Sequence, residues 1–138
     1  DPKDLVKNVE SARVISKELK MKIKIRPHIN EDGVKNPEYL INEKLADLKN
    51  IQGLGGIKHG LDSSKKQQCE YTVFNLSAFD TVEPEMLKNK LNGIYKLYGE
   101  KYAGQRMVFI YKRKAVKVSW QDVVDGKATD LLKELQEQ

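Results

Sequence analysis

Apolar residues recur along this chain in two rhythms, one helical and one alternating. Leu5, Val9, Ala12 and Ile15 follow Asp1-Pro2 at helical spacing, and a cap residue followed by proline at the first helical position predicts a helix to about Glu18. Leu19, Met21, Ile23 and Ile25 then alternate strictly with Lys20, Lys22, Lys24 and Arg26, the period-two pattern of a half-buried strand, which Pro27 ends or places near an edge. Asn30-Glu31-Asp32-Gly33 has the composition of a turn. Asn36-Pro37 repeats the cap-plus-proline opening ahead of Leu40, Ile41, Lys44, Leu45, Leu48 and Ile51, which predicts a second helix ending at Gly53.

The glycine-rich stretch from 53 to 66 reads as a loop. Residues 68–79 are rich in aromatic and β-branched types with a change of phase, as in a bulged strand or one buried on both faces. Leu87, Leu91, Ile94, Tyr95 and Tyr98 define a third helix terminated by Gly99. Two apolar runs, 105–111 and 115–120, flank Lys112-Arg113-Lys114 as a hairpin. Ser119 and Asp122 then have capping-box spacing before a final helix carrying Trp120, Val124, Ala128, Leu131 and Leu135. The expected fold is α+β, a single domain over residues 1–138 in the order α-β-α-β-α-β-β-α. About four strands form a mixed or antiparallel sheet, with helices mainly on one face and the lysine row exposed on the other.

Composition narrows the function classes. The 138 residues are long enough for one core without disulfides or metals, and the longest apolar run, Met107–Tyr111, is far too short for a transmembrane segment. The chain starts at Asp1, which leaves room for a removed leader or a preceding segment, and the single Cys69 slightly favours the cytoplasm over the cell envelope. Oligomeric state has no signature in the sequence.

The net charge of +5 is unevenly distributed. Residues 13–26 hold six bases against Glu18, and residues 105–117 hold five bases and no acid, while the last helix is acidic. Alternate strand residues point the same way, so Lys20, Lys22, Lys24 and Arg26 form a row about 6.6 Å apart, a spacing comparable to successive phosphates. If that strand neighbours the final hairpin, Arg106, Lys112, Arg113, Lys114 and Lys117 extend it into one anion-binding face. The expected partner is an anionic macromolecule, nucleic acid first and acidic protein second. The bland reading of the same lysines is a solvated strand edge guarded against aggregation.

Other motifs weigh less. Gly53-Leu54-Gly55-Gly56 is similar to the G-x-x-G loop of K-homology domains, but Leu54 replaces the usual polar loop residue and Gly60 interrupts the helix that should follow. His59 and Cys69 form a conceivable nucleophile pair, although a lone strand cysteine is more often a buried hydrophobe. Asp80, Glu83 and Glu85 beside Pro84 read as helix capping rather than a cation site. Tyr95, Tyr98 and Tyr102 read as core with hydroxyls at the surface. No metal, cofactor or catalytic residue is expected. The sequence points to a non-enzymatic binding module whose basic sheet face docks an anionic partner. The alternative is an accessory or adaptor protein of the cell envelope or of a larger assembly, acting through protein-protein contacts.

Overall fold

The computed structural model describes residues 2–28 and 36–138; the turn expected at 30–33 lies outside them. Helix α1 (Pro2–Leu19) leads into strand β1 (Ile23–Ile25), followed by β2 (Tyr39–Ile41), β3 (Lys44–Asn50), helix α2 (Gly56–Lys66) and β4 (Tyr71–Asn75). Helix α3 (Pro84–Tyr98), β5 (Arg106–Tyr111), β6 (Lys114–Ser119) and the short helices α4 (Trp120–Val124) and α5 (Ala128–Leu132) complete the order. The strands form one mixed sheet in sequence order, β1-β2-β3-β4-β5-β6. Pairing is parallel for β3 with β4 and for β4 with β5, and antiparallel elsewhere.

The α+β class stands, but the sheet has six strands instead of about four. The second helix expected between Pro37 and Gly53 is instead the β2–β3 hairpin. Its turn, Asn42-Glu43, has both residues at positive φ (48° and 67°), the geometry of a two-residue turn that matches strand twist, and asparagine adopts it readily. The loop expected at 53–66 is mostly α2. Ile57, Leu61 and Ser64 form its buried stripe at i, i+4 and i+7, and the Lys58 ammonium bonds Asp62 one turn on at 2.7 Å, so periodicity overrides glycine content. The lysine-row strand shrinks to three residues, since Lys20 takes a φ of 55° at the exit of α1.

Helices cover both faces, which corrects the expected one-sided arrangement. On one face α2, α3, α4 and α5 bury Phe74, Met107, Phe109, Val116 and Val118 of the sheet with Leu61, Leu91, Trp120 and Leu132. On the other, Ala12 and Ile15 of α1 pack on Tyr39, Ile41, Leu48, Tyr71, Val73 and Val108. Double burial explains the phase change in β4, whose residues 71–74 are all buried because a parallel strand in the middle of a three-layer stack has no wet side. The capping box forms as expected: Ser119 Oγ accepts from Asp122 N–H at 3.0 Å, and Asp122 Oδ2 accepts from Ser119 N–H at 2.9 Å. Gly126 at a φ of 74° splits the final helix in two. Glu83 is the N-cap of α3 but makes no side-chain capping bond, so backbone geometry and Pro84 at the first turn open that helix without the expected carboxylate cap.

Asp62 pins α2 to the turn after α3. Its carboxylate accepts from the buried Tyr102 hydroxyl at 2.6 Å and pairs with Lys101 at 3.2 Å as well as with Lys58. Burial alone would raise its pKa, yet the bonds from Lys58, Tyr102 and Lys101 hold it down at about 2. A carboxylate whose folded pKa is depressed adds stability above its unfolded pKa and loses it as pH falls through the folded value. Asp62→Asn is therefore expected to remove about 1 kcal/mol at neutral pH, discounted for partial exposure, and to flatten the acid limb between about pH 4 and pH 2. Urea titrations of both proteins across that window measure it, and parallel limbs would refute it.

Candidate functional site

The basic residues do not converge. Strands β1 and β6 lie at opposite edges of the sheet, so Lys20, Lys22, Lys24 and Arg26 cannot merge with Arg106, Lys112, Arg113, Lys114 and Lys117 into one face. Most are also engaged locally. Lys22 and Lys24 both reach Glu43 across the edge hairpin, at 3.6 and 3.2 Å. Arg26 donates to the Pro37 carbonyl at 2.9 Å. Arg106 pairs with Glu70 at 2.8 Å and lies over the Tyr71 ring, while Lys112 lies over Tyr111. Lys114 reaches Glu18 of α1 at 3.3 Å. The Arg113 backbone donates to Gln138 at 3.1 Å, and Lys117 is exposed.

The other candidates separate too. Cys69 is buried and His59 is exposed on α2. Tyr102 is fully buried with its hydroxyl on Asp62, and Tyr95 stacks edge-on against Trp120. Both are packing residues. Tyr98 is 41% exposed beneath the Lys58 ammonium.

Chemistry gathers instead on the hairpin read as a helix. Tyr39 pairs with Ala46, so Glu38 falls opposite Asp47 across the antiparallel pair, with both side chains on one face. Two carboxylates in that relation repel, and a shared proton relieves them. Burial first, then the hydrogen bond that protonated Glu38 donates to Asp47, raises the Glu38 pKa to about 7. Glu38 also accepts from the Leu48 N–H at 2.7 Å, which fixes its carboxyl beside the strand.

Asp47 is only 3% exposed, and its Oδ2 is held by three donors: Lys49 Nζ at 3.1 Å, Ser63 Oγ at 3.2 Å and Gln67 Nε2 at 3.2 Å. Gln67 also donates to Ser63 at 3.1 Å, so two residues one turn apart at the end of α2 brace the carboxylate as a unit. Asp47 and Lys49 share a strand face because they are two apart. In the helix expected from the sequence they would have pointed to nearly opposite sides. Periodicity hid this group, and the signal that exposes it is the two-residue Asn42-Glu43 interruption between the strand runs 39–41 and 44–50.

Asp47 pairs in register with Thr72, near the amino end of β4, and its side chain faces the C-terminal turn of α2. Glu38 lines a cleft of about 730 Å³ running to Asp4 and Asn8 of α1 and to His28. Among the described residues no set of three or more His, Cys, Asp or Glu side chains is grouped to hold a metal ion. Two carboxylates suit Mg²⁺, a hard cation that keeps several waters and is commonly held by one or two carboxylates plus substrate phosphates.

Residues 35–116 match the family described as contact-dependent growth inhibition CdiA C-terminal domain. Among solved structures, the chain is similar to a CdiA-CT/CdiI toxin and immunity complex from Burkholderia pseudomallei, with a TM-score of 0.60 over 86% of each chain at 17% identity. At that identity the likeness concerns the fold alone. No curated protein sequence matches. The family match overturns the expectation of a generic nucleic-acid-binding module, which rested on pooling two basic segments that the sheet holds at opposite edges. The chain belongs to the contact-dependent growth inhibition CdiA C-terminal domain family.

Proposed function

We propose that this chain is a growth-inhibition toxin domain that acts as a hydrolase, cleaving a phosphodiester bond at the Glu38–Asp47–Lys49 centre. The observation that carries the reading is the cross-strand carboxyl pair with a lysine on the same face. An acid–base pair sharing one proton, next to an ammonium, is equipped to move a proton and stabilise a developing phosphoryl charge. Glu38, with its pKa near 7, takes the proton of an attacking water. Lys49, its side chain 34% exposed, faces the charge that builds on the phosphoryl oxygens. Asp47 orients both, and Ser63 with Gln67 keeps it from turning away. A bound Mg²⁺ would add Lewis-acid polarisation of the phosphoryl oxygen. The protein partner is an immunity protein that suppresses this activity, a role supported by family membership and by the fold shared with the Burkholderia pseudomallei complex.

Incubation with bis(p-nitrophenyl) phosphate and Mg²⁺ or Mn²⁺ tests the hydrolase reading. Release of nitrophenolate that EDTA stops is the expected result. No release with either ion at micromolar protein overturns it.

A further inference from the structure

The helices on the α2 side of the sheet stop short of its β1 edge. Side chains paired across β1, β2 and β3 share a face, and Ile23, Tyr39, Ile41, Ala46 and Leu48 turn theirs toward α1. Lys22, Lys24, Leu40, Leu45, Asp47 and Lys49 therefore stand together on the opposite face. Leu40 and Leu45 belong to neither core and are only half-buried, and the Lys22 and Lys24 side chains are 68% and 54% exposed. The result is a strip of open sheet with an apolar floor, the carboxyl pair at one end and the two edge lysines beside it.

Register sets the distances. Lys24 lies opposite Leu40, two residues along β2 from Glu38, so it is the diagonal neighbour of the carboxyl centre at about 7–8 Å. That is comparable to the separation of successive phosphates along a phosphodiester chain. Lys22 and Lys24 already hold an anion. Both ammonium groups converge on Oε1 of Glu43, at 3.6 and 3.2 Å, and a single carboxylate leaves the trio with surplus positive charge. The Glu43 carboxylate thus stands in for an oxyanion seated between two lysines. Its hold is weak, because ion pairs between groups this exposed contribute less than about 1 kcal/mol. A phosphate is the better occupant, since its oxygens accept charge-assisted bonds from both ammonium groups at once.

We propose that Lys22 and Lys24 bind the phosphate next to the one attacked at the Glu38–Asp47–Lys49 centre, and that Glu43 fills this place until substrate arrives. The identity of the anion as phosphate rests on the phosphodiester reading; the pairing of two lysines on one anion does not. The substrate class is a polymer of phosphodiesters, laid along the open strip with Leu40 and Leu45 beneath it, rather than an isolated diester. Glu43 is an internal competitor that sets how tightly such a chain is held.

The test measures binding of a labelled abasic sugar–phosphate hexamer to the wild-type protein in EDTA, where hydrolysis is stopped, by fluorescence anisotropy across a salt series. Saturable binding is expected, weakened about tenfold or more in Lys22→Gln/Lys24→Gln, with the log–log salt slope reduced by about 0.7, and tightened about threefold or more in Glu43→Gln. Lys112→Gln/Lys117→Gln, at the far edge of the sheet, is expected to bind as the wild type does. Lys22, Lys24 and Glu43 are exposed, and unchanged far-ultraviolet circular dichroism verifies that their variants fold. No saturable binding, equal binding by Lys22→Gln/Lys24→Gln, or weaker binding by Glu43→Gln overturns the subsite. With Mg²⁺ present, the hexamer is expected to compete with bis(p-nitrophenyl) phosphate, and binding without competition overturns its place beside the centre. Release of nitrophenolate without the binding effects removes the subsite and keeps the hydrolase; the binding effects without release remove the hydrolase and leave an anion site at the lysine pair.

Discussion

Asp47→Asn is expected to lower phosphodiester hydrolysis by about 10³-fold while leaving the far-ultraviolet circular dichroism unchanged. The amide keeps the shape of the carboxylate but removes the charge that pairs with Lys49, and it brings an N–H₂ group to a position already facing the Ser63 and Gln67 donors. Glu38 in turn keeps the effect of its burial but loses the partner that adds to it in raising its pKa, which disturbs the proton balance that suits a base near neutral pH. Gln67→Leu removes only a brace, so a smaller loss of about 10- to 100-fold is expected, as for residues that orient the groups doing chemistry. Initial rates on the synthetic diester give the ordering. In cells, induced expression of the wild-type domain arrests growth and the Asp47→Asn form does not. A variant within about threefold of wild type in the hydrolysis assay would show that the centre lies elsewhere.

The largest stability effect is expected at Gly60. A Cβ built there meets Phe74 Cε1 at 2.5 Å and Cζ at 3.0 Å, and Lys49 Cγ at 3.2 Å. Phe74 is fully buried and stacked on Phe109 with ring centroids 5.3 Å apart, so it has no free direction in which to yield. Gly60→Val forces α2 off the sheet, with a cost of about 3 kcal/mol and a fall in Tm of about 10 °C. The displacement also carries Ser63 and Gln67 away from Asp47, so hydrolysis should fall further than the melting temperature alone explains. Gly93→Ala is the control. It also sits inside a helix, but its Cβ meets nothing within 4 Å, and alanine there is expected to raise stability by about 0.5–1 kcal/mol. Calorimetric melting of the two variants in opposite directions is the expected pattern; a neutral Gly60→Val would mean that the α2–sheet contact is looser than described.

The sequence was most legible where local signals agreed with tertiary packing. Helix α3 combines an unbroken apolar stripe, Pro84 at its start and Gly99 at a φ of 56° at its end, and the Ser119–Asp122 box forms as spaced. It was least legible between 37 and 66. There Leu40, Ile41, Leu45 and Leu48 satisfy a helical spacing by coincidence, while each β-strand run of the true hairpin is too short to show its own alternation. Glycines 56 and 60 pointed to a loop, yet they allow α2 to approach Ile51 and Phe74 more closely than a Cβ would permit. The candidate site fell inside the misread segment. Charge counting drew attention to Lys20–Arg26 and 106–117 because exposed lysines are conspicuous in a sequence, whereas a buried aspartate is conspicuous only once its neighbours are known.

The two-residue turn at Asn42-Glu43 fixes a parity between the strands it joins. Strand side chains alternate sides one by one, so the two carboxyls meet only because an even count separates their paired positions across the bend. Adding or removing a single residue at the bend would preserve the backbone ladder after a slip of one place and turn one carboxyl to the opposite side of the sheet. Lineages carrying this chemistry should therefore tolerate length variation in their other loops far better than here, and change length at this bend, if at all, by two.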